Sequence, residues 1–135
     1  MTKKGSYVLL LEVKQSTTIQ IGKKGIYRFP SGHYIYVGSA MNGIDQRIHR
    51  HMESEKKHHW HIDYLTQHAQ VLEAYIKVCP IKEECRIASA FQQHCESIPG
   101  FGCSDCQCTS HLFYGTRERL LKIINELHME KTRSK

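Results

Sequence analysis

The longest uninterrupted apolar run in the chain is Tyr7–Leu11, only five residues. A helix across a bilayer needs roughly 18 or more apolar residues, so this run is read as the heart of a short buried strand, Val8–Val13 with Tyr7 at its start. The N-terminal Met-Thr-Lys-Lys-Gly carries no apolar segment of signal-peptide length, which predicts a cytoplasmic protein with no membrane partner. With 135 residues, 40% hydrophobic and 24% charged, the chain is sized for one domain over 1–135, with a core at about 5–128 and a frayed tail at 129–135. Nineteen Lys and Arg against thirteen acids leave a net charge of +6, and ten His add to it below neutral pH. That balance suits a polyanionic partner contacted through its phosphates. Six Cys without a signal segment point to reduced thiols or metal ligands, not to a disulfide framework.

The segments Thr17–Gly22 and Gly25–Phe29 meet at Gly22-Lys23-Lys24-Gly25, a hairpin turn. His33–Val37 reads as a strand placing Tyr34, Tyr36 and Gly38 on one face and Ile35 and Val37 on the other. A helix opens at Asn42 with Ile44, Ile48 and Met52 as its buried stripe. A short helix at Trp60–His68 and a strand at Val71–Val78 follow, and Pro80 separates that strand from a helix over about Lys82–Glu96. Beyond the Gly- and Cys-rich loop Ser97–Thr109 come a strand at Ser110–Tyr114 and a helix capped by Thr116, with Leu120, Leu121, Ile124 and Leu127 on its apolar face. A hairpin-rich beginning followed by mixed elements predicts an α+β fold with a small, mainly antiparallel central sheet flanked by helices.

Some polar residues sit where apolar ones are expected. On an ideal wheel Glu84 lies within about 60° of Ile87, Ala88, Phe91 and Cys95, whereas Glu83 is turned about 100° away toward water. An acid in the first helical turn complements the helix dipole, but one aimed at the core requires a cation or donors to offset its desolvation. Arg47 and His51, spaced i and i+4, share a flank of the Ile44–Ile48 stripe. Neither neutralises the other, and together they suit a phosphate. Tyr7 and Tyr36 lie on strands that can pair, and Gly38 lets a ligand or backbone approach them.

Gly5-Ser6-Tyr7, Tyr36-Val37-Gly38, Arg47, His51 and Glu84, in this order, resemble the GIY-YIG nuclease superfamily. The segments 33–40, His59-Trp60-His61-Ile62-Asp63-Tyr64 and 100–108 are similar to one subgroup of it, found alone or joined to an endonuclease III-like DNA glycosylase. Ser6 stands where the first motif has isoleucine, and the asparagine that follows the glutamate in many members is absent, since Asn occurs only at 42 and 125. The resemblance implies a GIY-YIG-like fold and a divalent-metal-dependent endonuclease acting on nucleic acid, DNA above RNA, in repair or processing. A non-catalytic nucleic-acid-binding module and a zinc-stabilised interaction domain beside a glycosylase are the alternatives. It further implies Tyr7, Tyr36, Arg47, His51 and Glu84 as catalytic residues, with Gly38 and His61 in support.

In that scheme Glu84 anchors one Mg²⁺ or Mn²⁺, an ion content with few protein carboxylates, and Arg47 clamps the scissile phosphate. Tyr36 serves as the base with Tyr7 supporting, which requires Arg47 and the metal to pull a phenol down from about 10. Separately, Cys106, Cys108 and His111, with Cys103 or Cys85 as a fourth ligand, offer a donor set suited to Zn²⁺; buried thiols beside a loop turn are the competing expectation.

Overall fold

The computed structural model describes residues 4–21, 25–40, 43–52, 61–79, 81, 83–98, 101 and 110–134. The apolar run lies in strand β1 (Gly5–Val13), followed by β2 (Thr17–Ile21), β3 (Gly25–Phe29) and β4 (Gly32–Ala40). Helices α1 (Ile44–Met52) and α2 (His61–Thr66) precede β5 (Gln70–Val78) and α3 (Glu84–Gln92). The chain continues through β6 (Glu96–Ser97), β7 (Leu112–Gly115), α4 (Arg117–Glu126) and β8 (Glu130–Ser134). A six-stranded sheet in the order β6-β7-β4-β1-β5-β8 is antiparallel throughout, and β2 and β3 form a separate ribbon. The α+β expectation therefore holds. No described helix is long and apolar enough to cross a membrane.

β1 has strands on both sides and both of its faces are covered, which is why it reads as a continuous apolar run with no alternation. Tyr7, Leu9 and Leu11 point to one face, where α1, α2 and the β2–β3 ribbon contribute Ile44, Ile48, Ile62, Leu65 and Phe29. Val8 and Leu10 point to the other, against Ile87 and Phe91 of α3 and Leu120 and Ile124 of α4. In β4 the same alternation sends Tyr34 and Tyr36 to the first face and Ile35 and Val37 to the second, as their spacing predicts. Thr116 caps α4 by accepting from the Arg119 N–H at 3.2 Å.

Three expectations need correction. Residues 129–135 were read as a frayed tail, yet Met129 is buried in the second core and β8 pairs with β5. The reason is that a polar edge strand such as Glu130–Ser134 shows no apolar alternation. It is held by main-chain bonds and by Lys131, whose Nζ lies 2.8 Å from the buried Glu73 carboxylate. The helix expected over Lys82–Glu96 ends at Gln92 because the chain turns at residues 93–95 to enter the short strand β6 against β7. In α4 the buried set is Leu120, Ile123 and Ile124, with Leu121 and Leu127 only partly covered. Asn42, Trp60 and the Gly22–Lys24 turn fall outside the described residues.

Candidate active site

Strand pairing assembles the site before any helix contributes to it. Tyr7 of β1 stands opposite Gly38 of β4, and Tyr36 stands opposite Leu9. Both phenols thus project from neighbouring strands onto the first face, their ring centroids 6.3 Å apart. Gly38 is required by this placement: a Cβ there would stand 2.5 Å from both Cζ and Oη of Tyr7, closer than any real side chain tolerates. The absence of a side chain at Gly38 makes room for the Tyr7 ring.

α1 brings the cationic groups. Its Ile44 and Ile48 are buried against the sheet, and one turn beyond Ile48 the same stripe carries His51 under the sheet, where it is 1% exposed. Its Nε2 lies 2.7 Å from the Tyr7 hydroxyl in a buried hydrogen bond. The His51 ring also sits edge-on to Tyr36, with centroids 6.2 Å apart. Arg47, half-buried one turn earlier, donates from Nη1 to the Ser39 carbonyl at 2.9 Å and lies within hydrogen-bonding reach of Tyr7.

Glu84 enters from the opposite layer. α3 lays Ile87, Ala88 and Phe91 on the second face, but its first residue sits close enough to the tyrosines for its charge to act on both. Glu84 is half-buried, as its place on the helical wheel suggests. Glu83, expected to face water, is instead 16% exposed at its side chain and bridges Lys77 and Arg86, each at 3.3 Å. It turns inward because Lys77 of β5 is there to receive it. Glu83 is thus occupied by two cations, whereas the charges of Glu84 and Asp63 reach both phenols. One carboxylate completed by substrate oxygens and waters is a donor set that Mg²⁺ or Mn²⁺ accepts, so the residues present fit such an ion.

Without a metal, enclosure governs both phenols. Burial pushes the Tyr7 hydroxyl well above the ordinary phenol range, and the Arg47 charge beside it opposes that shift only in part. Tyr36 is raised as well, first by burial and then by the charges of Tyr7 and Glu84. Desolvation outweighs the single guanidinium because both rings are nearly enclosed. Tyr36 makes no described hydrogen bond to a proton acceptor, whereas Tyr7 is bonded to His51.

Of the residues singled out in the sequence, Tyr7, Tyr36, Arg47, His51 and Glu84 come together. His61 opens α2, and its side chain lies outside what is described. Sequence reasoning missed Asp63 and Arg50. Asp63 of α2 is fully buried and receives Nη1 and Nη2 of Arg50 at 2.8 and 2.9 Å. The available signal was an acid set between Ile62 and Leu65, both buried.

Of the cysteine set, the described residues include Cys85 and His111. Cys85 Sγ lies 4.0 Å from His111 Nε2, so the fold brings these two predicted ligands together. Cys79 and Cys95 are free, and burial raises the Cys95 thiol. Cys103, Cys106 and Cys108 lie outside the described residues, and among the described ones no three His, Cys, Asp or Glu side chains form a metal-binding group.

A family model described as domain of unknown function DUF123 matches residues 6–133, nearly the whole chain. No curated protein and no solved structure matches it.

Proposed function

This chain belongs to the DUF123 family, a domain of unknown function, and we propose that the domain is a divalent-metal-dependent endonuclease hydrolysing phosphodiester bonds in nucleic acid, DNA by preference, in repair or processing. One observation carries the reading: the buried 2.7 Å bond between Tyr7 Oη and His51 Nε2, with Arg47 and Glu84 acting on the same phenol. A phenol tied to an imidazole, a guanidinium and a carboxylate is the equipment phosphodiester hydrolysis needs. The resemblance to GIY-YIG nucleases supports it, since the five residues that resemblance names are the five found together. The net charge of +6 suits the polyanion.

The proton path follows from the bond. Tyr7 Oη accepts a proton from the attacking water while its own proton passes to Nε2 of neutral His51. No free phenolate has to accumulate, so the upward shift caused by burial does not block the step. Tyr36, beside both rings, confines the water between the strands. Arg47 presents its positive charge to the non-bridging phosphate oxygens and stabilises charge that grows as the water adds. Glu84 would hold Mg²⁺ or Mn²⁺, which when bound supplies positive charge for the phosphate and the departing alkoxide.

The shielded, protonated phenols also suit a second reading, a module that binds nucleic acid without cutting it. Incubation with supercoiled, branched and damaged DNA in Mg²⁺ or Mn²⁺ separates the two. Nicking that stops on chelation is the expected result. Salt-sensitive binding with no cut strand on any substrate would leave the binding module as the function.

A further inference from the structure

The Arg50–Asp63 pair has no part in the proton path, yet it is built with more care than a surface ion pair. Asp63 is 0% exposed, and both of its oxygens are taken by one guanidinium in the two-pronged arrangement that fixes orientation as well as distance. A carboxylate in this position is costly to leave unpaired. Arg50 lies three residues after Arg47 and one before His51 on α1, while Asp63 belongs to α2, which contributes Ile62 and Leu65 to the same core as Tyr7 and Tyr36.

The consequence is geometric. α1 spans only nine residues, and among the described side chains its apolar hold on the sheet is Ile44 and Ile48. Two aliphatic side chains permit a helix to roll, since hydrophobic contact is not directional. A roll of α1 carries Nε2 of His51 away from Tyr7 and swings Arg47 off the same hydroxyl. The fork between Arg50 and Asp63 opposes such a roll because both N–H donors must stay in the carboxylate plane.

We propose that Asp63 is a positioning residue of the site, acting through Arg50 to set the roll of α1 and so holding His51 and Arg47 on Tyr7. This rests on the nuclease reading for its catalytic consequence, though not for its structural one. It also gives a task to the aspartate of the His59–Tyr64 segment, which the proton path leaves unused.

The test uses the full chain and two variants, Arg50→Lys, which keeps the charge and loses the fork, and Asp63→Asn, which keeps the shape and loses the charge. The first readout is the nitrogen resonance of the His51 ring, assigned by its change in Tyr7→Phe. In Arg50→Lys it moves toward the value seen in Tyr7→Phe, while the amide resonances of β1 and β5 keep their parental positions. The second readout is cleavage: kcat falls on the order of tenfold to a hundredfold with KM little changed. Arg47→Ala then costs far less on the Arg50→Lys background than on the parent. Asp63→Asn reproduces both effects if it folds, and Arg50→Lys stands alone if it does not. A folded Arg50→Lys with an unmoved His51 resonance overturns the proposal. A resonance that moves in a protein that never cuts DNA supports the positioning role and removes the nuclease reading only.

Discussion

The two faces of the sheet are packed on different terms. Against α3 and α4 the core is mostly hydrocarbon, with Val8, Leu10, Ile35, Phe91, Phe113, Leu120 and Ile124, and Tyr75 bonded to Glu73 beside them. Against α1, α2 and the ribbon, the buried set includes three tyrosines, a histidine and an aspartate among the aliphatics. Burying polar groups stabilises little and costs much where a partner is missing, so a face that accepts them gives up stability for arranged chemistry. The apolar face is the support; the mixed face is where substitutions are expected to separate function from folding.

The sharpest division is expected at Tyr7. Tyr7→Phe keeps the ring against Gly38 and removes only the hydroxyl, so single-turnover cleavage falls on the order of 10²–10⁴-fold. Unfolding by denaturant shows a loss of about 1–3 kcal/mol, from the buried imidazole nitrogen left without its bond. Arg47→Ala follows, with turnover down on the order of 10²–10³-fold and a smaller change in stability. On the opposite face Leu120→Ala costs about 2–5 kcal/mol in denaturant unfolding, while turnover per folded molecule is unchanged. An equal loss of turnover there would break the comparison.

The smallest effect sits at the sheet edge. Glu73 is held below the ordinary carboxyl range, first by its hydrogen bond from Lys131 and then by that from Tyr75, which outweigh its burial. A carboxyl lowered in the fold contributes stability above its unfolded value and loses it as pH falls through the folded one. Glu73→Gln therefore costs about 1 kcal/mol near neutrality, and its melting temperature lacks the acid-side decline of the parent. The same pairing pushes the Tyr75 hydroxyl up to about 12, burial first and the Glu73 carboxylate second.

How much of this was legible in the residues depended on whether the signal was local. The alternation of Tyr34 and Tyr36 with Ile35 and Val37 is a period of two, and it assigned each side chain to its face. Glu84 stood out because a helical wheel compares residues only a few positions apart. The Tyr7–His51 bond joins residues 44 positions apart, and Arg50–Asp63 depends on how two helices meet, so neither has a sequence period to reveal it. β8 was hidden for a third reason: Glu130, Lys131 and Thr132 are all exposed, and an edge strand held by main-chain bonds needs no apolar pattern. The enclosure that raises the Tyr7 and Tyr36 phenols, against the lowering expected of Arg47 and a metal, is supplied only by the fold.

In the proposed reaction Glu84 serves the chemistry and not the fold. Cleavage and DNA binding by the parent and by Glu84→Gln, titrated with Mg²⁺ and Mn²⁺ side by side, test it most directly. The account predicts metal-dependent cutting by the parent and none by the variant, with equal melting temperatures and equal metal-free affinity for DNA. A Glu84→Gln protein that cuts at the parental rate would contradict it.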